Sequence, residues 1–280
     1  ILAAHVEGHP GNAAIFLAAP IPVQELEQVW AGEIKTRESV QWDPDRQVVQ
    51  AIRQTWFGRI LIRQTPLQAP DPEAVRQAMI QGIREMGLDA LPWTRTLMQL
   101  RHRVCFLRDH AGVSRLPDLS DKGLMNTLSS WLGPFLTGIR TARDLKRVDL
   151  AGSISALLPW EDRHRVDALA PSHITVPSGS RIPLSYSDGN QILASPVLSV
   201  RLQEMFGETR TPAVAEGRIC VTLHLLSPAG RPVQVTRDLE SFWKNTYKEV
   251  KKDLMGRYPK HFWPDDPLTA VPTRQAKPRS

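Results

Sequence analysis

Cysteine is scarce in this chain of 280 residues, which holds two, Cys105 and Cys220. Both stand among apolar neighbours and read as reduced core residues of a cytosolic protein, not as a disulfide framework. No apolar run approaches the ~20 residues that a membrane span needs, and no signal peptide is visible. Several chemistries lack their parts as well. The run G-x-x-x-x-G-K-[ST] that cradles phosphates is absent, as is an Asp-Glu-x-His run to hold magnesium, so this piece cannot itself transfer a phosphoryl group. There is no Cys-x-x-Cys, and neither His102 with His110 nor His164 with His173 has the i, i+4 spacing of a helical metal site. Ser227 lacks the G-x-S-x-G elbow of a nucleophile, and Leu226-Ser227-Pro228-Ala229-Gly230 is most simply a turn that ends a strand. No catalytic and no metal-binding residue is assigned on these grounds.

What is present is the composition of a globular protein, with 41% hydrophobic and 23% charged residues and a length that suits roughly two domains. The first residue is Ile1, not Met, as expected of a piece excised from something longer. Formal net charge is +6, and its placement says more than its size. From Lys244 to Ser280 nine Lys or Arg face four acids, so five of the six excess charges fall in the last 37 residues. That is the footprint of a surface facing polyanions.

The stretch 196–267 organises the rest. Its most legible element is a helix over 239–255, where Leu239, Phe242, Trp243, Tyr247, Val250 and Leu254 recur at steps of three and four and form one buried face. Lys244, Lys248, Lys251 and Lys252 fall on another face as a cationic stripe. Thr236 or Asp238 caps its start and Gly256 ends it. Arg257 and Tyr258 follow, then Lys260, His261 and Trp263 between Pro259 and Pro264, a run that a helix cannot continue through. One reading has the four lysines, Arg257 and Lys260 holding phosphates, with Trp263 or Tyr258 stacking on a base, and Arg274, Lys277 and Arg279 adding charge from a disordered basic tail, 271–280. The other has a solvated lysine face, with Trp243 and Trp263 filling the core.

Upstream, strands are expected at 1–6, 13–19, 33–42, 46–55 and 56–65, with a short helix at 23–30. Helices follow at 71–86 (Asp71 as cap, Pro72 in the first turn, Gly87 at the end), 93–108, 118–136, 145–160 and 162–169. Strands return at 174–176, 182–186, 197–202 and 219–226, and the helix 239–255 is expected to pack on their sheet. Ser178, Gly179, Ser180 and Arg181 form the best small anion site, since turn amides beside a guanidinium could hold a phosphate; a plain hairpin connection is the alternative. Glu204 is placed to pair with Arg201 or Arg218. Asp265 and Asp266, between prolines, cap a turn.

Several long blocks also match a family in order. VRLQEMFG, the pair Gly217-Arg218, LHLLSPAGRPVQVTRDL, GRYPKHFWPDDP, HITVPSGSRIPLSY (residues 173–186) and PEAVRQAMIQGIREMGLDALPW (residues 72–93) resemble the C-terminal region of HrpB-type bacterial DEAH-box helicases. The likeness covers nearly the whole chain and is strongest after His173. It implies an α+β fold: the end of an oligonucleotide-binding-type barrel (1–69), a helical block (70–170), then a small mixed sheet with a long packed helix (171–270). By the same resemblance the parent is an ATP-dependent, cytoplasmic RNA helicase. ATP and magnesium then belong to motor domains upstream, and RNA or single-stranded nucleic acid is the partner, with no membrane. This segment would be inactive alone, without a cofactor of its own. Two rivals stand beside it: a protein-docking module using 258–267, and a self-contained hydrolase around 178–181.

Overall fold

The structure is a computed structural model that describes residues 2–9 and 12–276. The chain divides into two compact units, residues 1–91 with 132–148 and residues 92–131 with 149–280. The residues expected to form one helical block are thus shared between the two.

In the first unit, β1 (Leu2–His9) and β2 (Asn12–Ala19) make an antiparallel hairpin, followed by α1 (Val23–Val29). A three-stranded antiparallel sheet then runs in chain order through β3 (Ile34–Asp43), β4 (Val48–Phe57) and β5 (Ile60–Pro66). The turn between β3 and β4 closes on the Asp43 carboxylate, which accepts from the amides of Asp45 and Arg46 at 3.1 Å each. Helix α2 (Pro72–Met86) starts where the sequence predicts, because the Asp71 side chain accepts from the Glu73 and Ala74 amides and Pro72 needs no donor there. It stops at Gly87, whose φ of +85° costs other residues strain. Met79, Ile80 and Ile83 form its buried face. Gly82 lies flat on Trp42: a Cβ placed there would sit 2.4 Å from the indole.

In the second unit, α3 (Arg95–Asp109) is capped by Thr94 and buries Leu100, Val104, Phe106 and Leu107. The single helix expected over 118–136 is broken. It appears as α4 (Asp121–Asn126) and α5 (Leu128–Trp131), and the residues after them, which belong to the first unit, form a three-residue 3₁₀ turn at Gly133–Phe135. The Thr127 hydroxyl donates to the Gly123 carbonyl at 2.8 Å and competes with the helical ladder, and Pro134 has no amide to continue it. The helix expected over 145–160 is likewise shorter. Asp149 caps α6 (Leu150–Leu157) on the Gly152 amide at 2.8 Å, and Pro159 precedes α7 (Trp160–Leu169).

Five strands follow: β6 (His173–Thr175), β7 (Arg181–Asp188), β8 (Gln191–Arg201), then β11 (Thr222–Leu226) and β12 (Pro232–Thr236), after two short strands, β9 (Ala213–Val214) and β10 (Ile219–Cys220). The sheet order is β12-β11-β8-β7-β6. It is mixed, because β11 runs parallel to β8, from Thr222 opposite Val197 to Leu226 opposite Arg201, while the other neighbours are antiparallel. Leu184, Tyr186, Leu198, Val200, Leu223 and Leu225 alternate inward, as period-two burial requires. The architecture is the α+β arrangement with a small mixed sheet and a long helix that the sequence implies.

Several expectations are corrected. Cys105 is buried and burial pushes its thiol up to about 11, but Cys220 is exposed, because the two-residue β10 leaves it at an edge. Residues 271–276 are held in place. Thr273 is 7% exposed and its amide donates to the Gln203 carbonyl, and the Ala276 carbonyl accepts from the Phe262 amide. No helix among the described residues is long and apolar enough to cross a membrane.

Candidate nucleic-acid interface

The C-terminal helix begins where the Asp238 carboxylate accepts from the Ser241 amide at 2.9 Å. It is not one regular helix. An α-turn at Leu239–Ser241 passes into a π-helical segment, Phe242–Thr246, and back to α-helix at Tyr247–Arg257. The wider π-turn lets Phe242, Trp243 and Tyr247 all point inward around Phe206, with ring centroids 4.9–6.4 Å apart. Trp243 is 5% exposed and its indole donates to the Glu208 carbonyl at 2.8 Å; the Tyr247 hydroxyl donates to the Pro264 carbonyl at 2.9 Å. The buried face therefore meets Phe206, in the turn leading off β8. Glycine does not end it: Gly256 lies inside, and the last helical residue is Arg257.

The basic residues are not equivalent. Lys244 pairs with Glu240 at 2.5 Å, and that hydrogen bond raises its pKa above the usual lysine range. Lys251 is largely covered and pairs with Asp265 at 2.5 Å; the ammonium's hydrogen bond lowers the carboxyl's pKa below its usual value. Arg257 pairs with Asp253 at 3.1 Å. Lys248, Lys252 and Lys260 are exposed and have no carboxylate partner among the described residues. Lys248, Lys251 and Lys252 line a groove of about 350 Å³ with Met255 and Asp265. Lys244 is outside it.

The aromatic candidates are half-buried. The Trp263 indole donates to the Tyr258 carbonyl at 3.0 Å, and the Tyr258 ring stands edge-on to His261 with centroids 6.0 Å apart. His261 in turn bonds Gln203 at 3.1 Å. These contacts commit much of 258–267 to the unit's own packing. Asp266 caps a turn by accepting from the Leu268 amide and the Thr269 hydroxyl, both at 3.0 Å. Arg274 is exposed, whereas Lys277 and Arg279 lie outside the described residues.

In the turn of Ser178, Gly179, Ser180 and Arg181 the first three amides are engaged already, while the exposed Arg181 guanidinium has no partner among the described residues. The Ser178 amide donates to the Glu204 carbonyl, the Gly179 amide to Val176, and the Ser180 amide to the Ser178 hydroxyl. That hydroxyl donates in turn to the Glu204 carboxylate at 2.7 Å. A phosphate would meet the carboxylate of Glu204, which is 5% exposed, and no free amide, so the turn reads as a hairpin connection. The geometry offers ATP no phosphate cradle here, and no histidine joins the hydrogen bonds around Ser178 as a hydrolytic site would need. Glu204 bonds Ser178, not Arg201 or Arg218. Arg218 donates to the Ala215 and Ala111 carbonyls at 2.9 and 3.1 Å. Among the described residues no three of His, Cys, Asp and Glu converge as a metal site.

Two arginines escaped sequence reasoning. Arg101 (9% exposed) donates to the Leu119 carbonyl and to Asp121, at 2.6 Å each, and lies over the Trp93 ring. Arg103 (6% exposed) donates to the Ala170 carbonyl and to Asp167, at 2.5 Å each, tying α3 to the end of α7. Local sequence gives no sign of these bonds, because the partners are 18 to 67 residues away. A cleft of about 620 Å³ beside α3, β7 and β8 also gave no sequence signal, since its lining comes from four separate segments.

Comparison with known proteins gives a consistent set of likenesses. A family described as "ATP-dependent helicase C-terminal" matches residues 131–267. The ATP-dependent RNA helicase HrpB of Escherichia coli is 41% identical over 266 residues, which is 95% of this chain and 32% of that protein. A crystal structure of the E. coli DExH-box NTPase HrpB superposes with a TM-score of 0.69 and 39% identity, covering 98% of this chain and 34% of that one. A second crystal structure, of the E. coli DEAH/RHA helicase HrpB, gives 0.60 at 39% identity over 82% of this chain and 29% of that one. The chain thus spans about a third of the length of these relatives.

Proposed function

This chain belongs to the HrpB-type helicases as their C-terminal region, and from that premise we propose that it is an accessory part that grips single-stranded RNA beside an ATP-driven motor. The observation that carries the reading is the set of exposed lysines without a counter-ion, Lys248, Lys252 and Lys260, two of which line a groove with Lys251 and Met255. Unpaired ammonium groups release counter-ions when they meet phosphates, and Met255, 47% exposed, gives a base an apolar surface to rest on. Lys251 joins them if a phosphate displaces the exposed Asp265.

ATP and magnesium belong on this reading to motor domains in the two thirds of the relatives that this chain does not span. The parent is a cytoplasmic RNA helicase, and this region holds the strand or tunes the motor. It makes no step of the hydrolysis itself, because it carries neither the phosphate loop nor the magnesium-holding run that phosphoryl transfer needs. Internal bonding of Tyr258 and Trp263 weighs against the docking alternative.

The test is fluorescence anisotropy with labelled single-stranded RNA at low salt. The chain should bind saturably, and Lys248→Glu with Lys252→Glu should weaken binding about tenfold or more with an unchanged circular dichroism spectrum. Equal affinity in the double variant would move the docking reading ahead.

A further inference from the structure

We propose that the cleft between the first turns of α3 and strands β7 and β8 binds a nucleoside monophosphate, either free or as the phosphorylated end of an RNA strand. The site goes beyond the lysine groove and shares no residue with it.

The cleft, of about 620 Å³, falls within the range of pockets that hold small molecules. Its chemistry is one-sided: no carboxylate lines it, and its charged or titratable lining residues are Arg95, His102, His173 and Tyr186, whose hydroxyl is already spent on the Pro171 carbonyl. Arg95 is exposed and has no ion-pair partner among the described residues. The planar fork of a guanidinium without a carboxylate partner can donate to two oxygens of a phosphate at once.

The two histidines are held alike. His102 Nδ1 is 2.7 Å from the Ser187 hydroxyl, and His173 Nδ1 is 3.0 Å from that of Ser172. Each ring is thereby oriented, and each Nε2 is left without a hydrogen-bond partner among the described residues. An imidazole nitrogen and a guanidinium can meet phosphate oxygens or sugar hydroxyls, while Met98 and Val197 give the same cleft an apolar wall for a base. A bare phosphate would leave that wall and much of the volume unused, so the ligand class that uses all three features is a nucleotide.

The experiment is calorimetric titration of the whole chain with AMP, adenosine and inorganic phosphate. Anisotropy of a labelled RNA hexamer with and without a 5′-phosphate is measured in parallel. AMP should bind saturably and about tenfold or more tighter than either adenosine or inorganic phosphate. Arg95→Ala, on an exposed side chain, should cost AMP about tenfold with the fold intact by circular dichroism, and His173→Gln should weaken it too. The Lys248→Glu, Lys252→Glu variant should bind AMP as the parent does, which separates this site from the RNA groove. Preference for the 5′-phosphorylated hexamer, lost in Arg95→Ala, identifies the strand end as the source. AMP binding without that preference identifies free nucleotide. No saturable AMP binding, equal binding of AMP and adenosine, or an AMP affinity indifferent to Arg95→Ala would overturn the proposal.

Discussion

Replacing Trp243 by Ala tests whether the C-terminal helix is anchored as described. The side chain is 5% exposed, touches the rings of Phe206, Phe242 and Tyr247, and donates its indole proton to the Glu208 carbonyl at 2.8 Å. Removing a buried indole costs roughly 3–5 kcal/mol, from lost transfer energy and from the cavity left behind. Trp243→Phe keeps an aromatic ring but leaves the Glu208 carbonyl unpaired, so it should cost about 1–3 kcal/mol. Lys248→Ala, exposed and unpaired, should stay within about ±0.5 kcal/mol. Because the chain has two compact units, a global unfolding curve mixes two transitions. The better readout is hydrogen exchange of amides 247–257 in each variant, beside urea midpoints. Protection should fall steeply in Trp243→Ala, less in Trp243→Phe, and not in Lys248→Ala. Equal protection in Trp243→Ala and Lys248→Ala would refute the assignment of faces.

Two further outcomes follow from the packing and charges. Gly82→Ala should destabilise the first unit by about 1–3 kcal/mol, because its Cβ would lie 2.4 Å from the Trp42 indole; an unchanged urea midpoint would show that this contact yields freely. Burial and the Arg101 charge, only partly offset by Asp121, hold His102 below the usual imidazole range, and burial with Arg201 does the same for His261. As pH falls through about 6.5 the unfolded chain therefore takes up protons first, so the second unit should lose stability between about pH 7 and 5. His102→Gln should flatten part of that slope in urea titrations across pH, and an unchanged slope would contradict it.

The sequence made some parts of this fold legible and hid others for identifiable reasons. Asp71, Pro72 and Gly87 mark α2 because caps and left-handed ends are local chemistry. The C-terminal helix was visible in its apolar spacing, but its π-turn was not: the repeat of Trp243 and Tyr247 suits either winding, and the choice depends on Phe206. Strand β12 was missed because Pro232 stands one residue after a Pro-Ala-Gly turn, and only its pairing with β11 makes it a strand. The lysine stripe was read as four like charges. Its division into paired and unpaired lysines depends partly on Asp265, fourteen residues from Lys251, which helical spacing does not reach.

The central claim is that the lysines without counter-ions, not the whole basic stripe, meet nucleic acid phosphates. The most direct measurement is the slope of log K against log salt for labelled single-stranded RNA, in the parent chain and in two variants. Each phosphate neutralised on a single strand contributes about −0.7 to the slope, so changing Lys248, Lys252 and Lys260 to Glu should remove about two units and most of the affinity. Lys244→Gln should change the slope little, because Glu240 already neutralises that ammonium. A triple variant with the parent's slope and affinity, or a loss in Lys244→Gln as large as in the triple variant, would contradict the account.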